Sequence, residues 1–530
     1  MYKNRLAGFH TNNPLILMLY ILLFLIELPL LIGSAIPVTI LAAQMVVLGA
    51  LLMYYYRKRD IGEAAALLSI VANRRLFYFL FGYMAIFWPG LAIVKYYSFQ
   101  FHLFDTGVFA NMLAKLVNTG RFYSTVLEQN ALADHFCPNL TLFYPLFSWK
   151  MNFLWLTGFK ILAYLATALL LIRLGKLIIG LESKAVYIAP VLFLFNMLIS
   201  RTLDFEFQPS ALALPFIVLG FIFALEKKYI QMALALVFMV GFKEHLPLVW
   251  ISLGIFLILY RRQQKKAGIL LIVTGAVMGL LIFLFVMPYF NNGIAPSHSG
   301  KFGPFSLIPE KLGLLALAFT TVGFLPLFSP KSLLFILPAF AISLISNVPN
   351  MVTIHFHYLD MPAVILFVGV ICGIADLKKG AERLKRFSPR ASACILSACF
   401  LMIIAANTYF PARGIREHWL ERRHLEMHSE VQLLKTLVDG CNLWTVEKVG
   451  VLCFDYPHLK SINMREAERV MQDPACHWIV LTSSSANSGL SEAQYNRLKS
   501  WVLKKEAQGD YQRLSGFTHF MVFRTALPHS

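Results

Sequence analysis

Charge is scarce in this chain. Asp, Glu, Lys and Arg together make up 14% of the 530 residues, and 58% are hydrophobic. A water-soluble chain of this length would need far more polar surface, so that class is excluded. Cysteine is also sparse. The seven are Cys137, Cys372, Cys394, Cys399, Cys441, Cys453 and Cys476, and none forms a Cys-x-x-Cys pair. That argues against a zinc ribbon or a dithiol redox motif. One disulfide fits among the three cysteines of the C-terminal part, with its connectivity open. That part also lacks a glycine-rich phosphate loop and a nucleophile elbow. The first apolar run has no small-residue cleavage site and leads quickly into a second, so no cleavable signal peptide is expected.

What the chain has instead is a succession of apolar runs, each near the ~20 residues that cross a bilayer. They predict spanning helices at 14–32, 36–56, 76–96, 151–172, 185–200, 209–225, 229–242, 246–260, 267–288, 311–328, 332–347, 359–375 and 391–409. The net charge of +19 does not point to nucleic acid. The cations sit in short clusters between apolar runs, such as Arg57-Lys58-Arg59, Arg261-Arg262 with Lys265-Lys266, and the segment 378–390. That is the positive-inside pattern of a membrane protein. With Lys3 and Arg5 inside and the chain alternating, the clusters fall inside and only scattered single cations fall outside. Residues 411–530 then lie outside as a soluble domain.

A second pattern follows from that orientation. Asp105, Asp134, His135, Asp204, Glu206, Lys243, Glu244, His245, His298, Lys301, His355, His357 and Asp360 all gather at the outer side. Ionisable groups at the mouths of spanning helices are costly to desolvate, which makes them functional candidates. Asp105 fits a general base or a metal ligand, though on its residues alone a solvated loop or a helix N-cap is favoured. His135 beside Asp134 fits a ligand contact or a polar turn. Lys243 suits a phosphate and Glu244 a metal or a sugar hydroxyl; the alternative is a solvated hairpin. His355 and His357 fit a phosphate or metal contact, or an interfacial belt of polar aromatics. In the long outer loop 97–150, residues 108–116 have the spacing of a short amphipathic helix. The aromatic-rich run 136–149 suits the membrane interface. Beyond residue 411 the pattern predicts a helix at 413–438, strands at 449–454, 478–482 and 519–524, and a helix at 491–506, hence a small α/β unit.

The order of these motifs resembles a known family. Phe104-Asp105-Thr106-Gly107 comes first, then His135-Phe136 with Pro138. Lys243-Glu244 follows Gly241-Phe242, His355-Phe356-His357-Tyr358 precedes Pro362, and Pro457-His458-Leu459 closes the series. This resembles the DUF2079 family of predicted polytopic membrane proteins and, more distantly, the GT-C class of membrane glycosyltransferases, over residues 76–525. Where that family usually carries Asp after Lys-Glu, this chain has His245, which weakens a metal role there. The resemblance implies an α-helical transmembrane, GT-C-like bundle of about 13 spans with a C-terminal extracytoplasmic α/β domain. Residues 1–75 would be two added N-terminal spans, 76–410 the core and 411–530 the soluble domain. It implies sugar transfer from a polyprenyl-phosphate donor at the outer face of a bacterial plasma membrane. Asp105 would be catalytic. His135, Lys243, Glu244, His355 and His357 would bind substrate, with Mg or Mn held by Asp105, Glu244 or His245. Membrane lipid is the expected partner, and nucleic acid is not. The competing readings are a transporter or lipid flippase, and a non-catalytic envelope assembly factor.

Overall fold

The computed structural model describes residues 72–296, 299–303, 305–354, 356–384, 420–462, 469–472, 475–482 and 490–526. The expected spans at 14–32, 36–56 and 391–409, and the candidates His298 and His355, lie outside these residues.

Among the described residues, four helices are long and apolar enough to cross a membrane: Arg74–Tyr97 (α1), Leu154–Ile179 (α3), Arg262–Phe290 and His357–Leu377. Helix α2, Val108–Thr119, lies in the loop between α1 and α3. A bent pair, Lys184–Phe195 and Met197–Asp204, makes a fifth span if counted as one. The helices Pro209–Leu225, Tyr229–Val240, Pro247–Tyr260 and Ser332–Ile345 are apolar but shorter. Three expected spans thus take irregular form. The run 185–200 bends by 42° at Asn196, whose side chain leaves the first helix and caps the next by accepting from Leu198 N at 2.9 Å. The run 311–328 stops being α-helical at Thr321, where Gly323 and Phe324 take positive φ. The run 332–347 is split by the 3-10 turn Leu337–Phe340, which carries Pro338. A proline or a capping Asn interrupts the backbone ladder without changing hydrophobicity, so the apolar pattern does not register the break.

Two helices show opposite burial. The segment 360–375 of the last long helix is enclosed on all sides by the bundle. In Lys265–Leu281 only Gly268, Leu271 and Gly275 are buried, while Leu270, Val273, Val277 and Leu280 point outward. That exposed apolar face suits hydrocarbon. The helix is held by close backbone contact. A Cβ on Gly254 would meet the Gly268 carbonyl oxygen at 2.5 Å, and one on Gly268 would meet the Gly254 oxygen at 2.6 Å. Small residues at such crossings are how apolar helices pack when lipid is the solvent.

Residues 420–526 carry a five-stranded sheet of order β4-β3-β5-β7-β6, built from Asn442–Val446 (β3), Leu459–Ile462 (β4), His477–Thr482 (β5), Tyr511–Arg513 (β6) and Phe520–Thr525 (β7). The short hairpin Tyr123–Ser124 (β1) and Gln129–Asn130 (β2) belongs to the loop between α1 and α3. β3 runs parallel to β4 and β5, and β7 antiparallel to β5 and β6. A disulfide joins Cys441 to Cys476 at the starts of β3 and β5. The segment 449–454, expected as a strand, forms the helical turn Glu447–Gly450 followed by the 3-10 turn Val451–Cys453. A short apolar run buried on every side has no period to tell strand from helix.

This unit packs onto the helical part. Asn111 Nδ2 donates to Phe454 O at 2.9 Å, His428 Nε2 meets Tyr96 O at 3.1 Å, and Lys460 and Arg469 both pair with Glu128. The contact changes the reading of 108–116. Val108 to Ala114 are all buried, so this helix is enclosed rather than resting with one face exposed. Spacing shows which face is apolar, and a second cover over the other face is a tertiary fact.

Candidate functional site

Asp105 sits on a single π-helical turn, Leu103–Gly107, that leads into α2. Space at Gly107 is tight, since a Cβ would meet the Leu103 side chain at 2.9 Å and His102 O at 3.3 Å. The turn is clamped from a distant segment by Glu206, which accepts from His102 N at 2.8 Å and Thr106 N at 3.1 Å. The His102 ring also hydrogen-bonds Glu206. Phe207 N in return donates to Thr106 Oγ1 at 3.1 Å. Asp105 does not cap α2, whose cap residue Gly107 receives no side-chain bond. Its carboxylate accepts from Gln208 Nε2 at 3.2 Å.

The electrostatics of the turn follow from crowding. Burial, then the neighbouring Glu206 carboxylate, push the Asp105 carboxyl up to about 7, against the opposing pull of His102 and Lys243. For His102, burial disfavours the imidazolium, but its bond to Glu206 outweighs this and raises its pKa. A carboxyl that titrates near neutrality can take up a proton in its task and release it afterwards.

The second half of the site is the connection 241–246 between Tyr229–Val240 and Pro247–Tyr260. Gly241 abuts Asn139 of the loop between α1 and α3 so closely that a Cβ would lie 2.5 Å from Asn139 Oδ1, and Asn139 N donates to Gly241 O at 2.9 Å. That contact fixes the next residues. Lys243 is 2% exposed and donates to Gln208 Oε1 at 2.7 Å. Glu244 accepts from Phe136 N at 3.1 Å and contacts His135 Nδ1 at 3.2 Å. Burial alone would raise the Glu244 carboxyl, but His135 and then Lys243 hold it well below the usual carboxylate range.

His135, Lys243, Glu244, His245, Lys301, His357 and Tyr358 share one cavity of about 450 Å³. Its other wall is apolar and comes from the two helices that cross at Gly254 and Gly268, through Leu248, Ile251, Gly275, Gly279, Leu280 and Phe283. Among the described residues, Lys243 has Gln208 as its only hydrogen-bond partner. His357 Nδ1 is buried and unpartnered. A buried polar atom in that state has bonding capacity for a water, an ion or a ligand.

Six of the expected candidates (His135, Lys243, Glu244, His245, Lys301 and His357) therefore meet in one space. Asp105 does not line it. It joins the cavity through Gln208, which reaches Asp105 on one side and Lys243 on the other. Asp204 and Asp360 belong elsewhere: Asp204 pairs with Lys95 at 3.4 Å, and Asp360 accepts from Tyr164 and from Ser210. Sequence reading missed Gln208 altogether, although it stands in the polar run Asp204-Phe205-Glu206-Phe207-Gln208 just before Pro209. It also missed the clamping part played by Glu206. Among the described residues, no three His, Cys, Asp or Glu side chains gather as a metal site. Asp105 and Glu244 are engaged by different partners, so the described side chains form no ready site for the expected Mg or Mn.

The comparisons with known proteins agree with this architecture. No curated protein sequence gives a significant match. A crystal structure of ArnT from Cupriavidus metallidurans bound to undecaprenyl phosphate is similar in fold, with a TM-score of 0.50 at 12% identity over 84% of this chain and 98% of that one. The sequence profile of the predicted membrane proteins DUF2079 matches residues 95–307 and 305–438. With most of its length matched, the chain belongs to the DUF2079 family of membrane proteins.

Proposed function

We propose that the protein transfers a glycosyl unit from a polyprenyl-phosphate donor, at the outer face of a bacterial plasma membrane. The observation that carries this reading is the cavity: one end holds a buried, under-partnered ammonium and an unpartnered imidazole nitrogen, and the other wall is apolar. A phosphate at Lys243 and His357 would place its prenyl chain along Leu248, Ile251 and Leu280, beside a helix that faces hydrocarbon. The shared fold with ArnT, which is bound to undecaprenyl phosphate, supports the same reading. The Cys441–Cys476 disulfide suits an oxidising compartment and so an extracytoplasmic C-terminal unit.

The chemistry then divides between the two halves. The acceptor hydroxyl attacks the anomeric carbon as its proton passes to the Asp105 carboxylate. The bond from that carbon to the phosphate oxygen breaks, and the electron pair leaves with the phosphate. Negative charge grows on the leaving group, and the Lys243 ammonium stabilises it where water does not screen. His135 and Glu244 hold each other and the shape of the cavity rim. No step is routed through a metal.

The test is a transfer assay with the purified protein and a panel of lipid-linked sugars. Asp105→Asn keeps shape and removes basicity, so turnover is expected to fall about 10²- to 10⁴-fold. Undiminished turnover in that variant would sink the role of Asp105. Transport of the lipid-linked sugar without any transfer product would replace the reading with a flippase.

A further inference from the structure

Gln208 lies between two groups of opposite charge. It precedes Pro209, which restricts the preceding residue to an extended backbone, and it adopts φ −135° and ψ 139°. Its side chain is buried. The amide orientation is forced by its neighbours. An ammonium can only donate, so Oε1 must face Lys243; an ionised carboxylate can only accept, so Nε2 must face Asp105. The two hydrogen bonds measure 2.7 Å and 3.2 Å.

An amide is neutral, and that is its use here. A lysine and an aspartate held at the two ends of one buried amide attract strongly in a place of low dielectric. Left to themselves they would close into an ion pair. That pair would take the base out of use and withdraw the cation from a ligand. The remaining charged neighbours of Asp105 do not prevent this. Glu206 and Glu447 repel its charge while His102 attracts it, and none of them touches Lys243 by a hydrogen bond.

The geometry points to Gln208 as a positioning residue, a neutral spacer that keeps Asp105 and Lys243 from pairing, so that one stays free to accept a proton and the other to receive a phosphate. This rests on the sugar-transfer reading for its catalytic half, while its electrostatic half stands on the two hydrogen bonds alone.

The experiment is built on that division. Binding of undecaprenyl monophosphate is measured at pH 8 in detergent for the full chain, and turnover is followed against pH where transfer occurs. Gln208→Ala is expected to lose about tenfold in affinity as Lys243 turns to Asp105. The double variant Gln208→Ala with Asp105→Asn regains it, because no carboxylate remains to capture the lysine. In turnover, Gln208→Ala shifts the acid limb to lower pH, since Asp105 gains a direct cation. Gln208→Glu, which keeps size and folding, sets a like charge against Asp105 and shifts that limb to higher pH. Failure of Asp105→Asn to restore binding, or shifts of the same sign in both variants, would overturn the spacer. If the wild type binds the monophosphate but transfers no sugar, the transfer reading fails and the rescue of binding still decides the role of Gln208. If Gln208→Ala does not fold, Gln208→Asn, a shorter amide, takes its place in the rescue.

Discussion

Two buried lysines in this protein are opposites. Lys160, on α3, is 1% exposed, and Lys243 is 2% exposed. Lys160 reaches the end of the helix Met197–Asp204 and the residues after it. It donates to the carbonyls of Thr202, Leu203, Phe205 and Glu206, with the last two at 2.7 and 3.0 Å. Helix C-termini present unsatisfied carbonyls and partial negative charge, so this ammonium completes the fold. Lys243 has one neutral oxygen for a partner among the described residues. Burial is therefore no guide to function here. What separates the two is how much of each ammonium's bonding the protein itself uses. The saturated charge completes the fold, and the under-used one has bonding capacity left for the phosphate of the proposed function.

The largest effect that would sharpen this comparison is at Lys160. Lys160→Met leaves several helix-end carbonyls buried and unpaired, and each such group is expected to cost roughly 1–3 kcal/mol. Thermal unfolding in detergent reads it, and an unchanged Tm would break the contrast. Lys243→Gln is expected to leave Tm nearly unchanged, because its one hydrogen bond can be kept. Transfer should fall about 10²- to 10³-fold, and a Tm loss matching that of Lys160→Met would make both lysines structural.

The smallest effect is on pH dependence, and its sign is fixed by Asp105. Its carboxyl is raised from its ordinary value to about 7. Between those two values the folded protein binds a proton that the unfolded chain does not. Stability from this group thus falls as pH rises through that window and is fully lost above about 7. Asp105→Asn is expected to unfold a few degrees higher than the wild type at pH 8, and to show little difference near pH 4. Turnover of the wild type should climb with pH through about 7 as the base form appears. A Tm for Asp105→Asn below that of the wild type at pH 8 would place Asp105 among the structural carboxylates, with Glu244.

The surroundings of Asp105 show how far sequence reading reaches. Asp105 and Lys243 stood out because a charge at the edge of an apolar span is expensive wherever its partner is. Gln208 did not, because a neutral amide before a proline carries no such cost and its meaning lies in two hydrogen bonds. The run at 449–454 read as a strand because Val449, Val451 and Phe454 are β-formers. In the structure it is a helical turn pressed against Leu103, close enough that a Cβ on Gly450 would lie 2.7 Å from that side chain. Local preference yields to such packing.

The sequence alone determined that this is a membrane protein, because hydrophobicity and the placing of basic clusters are sums over local residues. It also marked the ionisable groups that needed an explanation. Only the tertiary structure decided which of them share a cavity, which are consumed by helix ends, and which stand one amide apart. Pairing of charges depends on distances of a few ångströms between segments a hundred residues apart in the chain, and no local pattern encodes those distances.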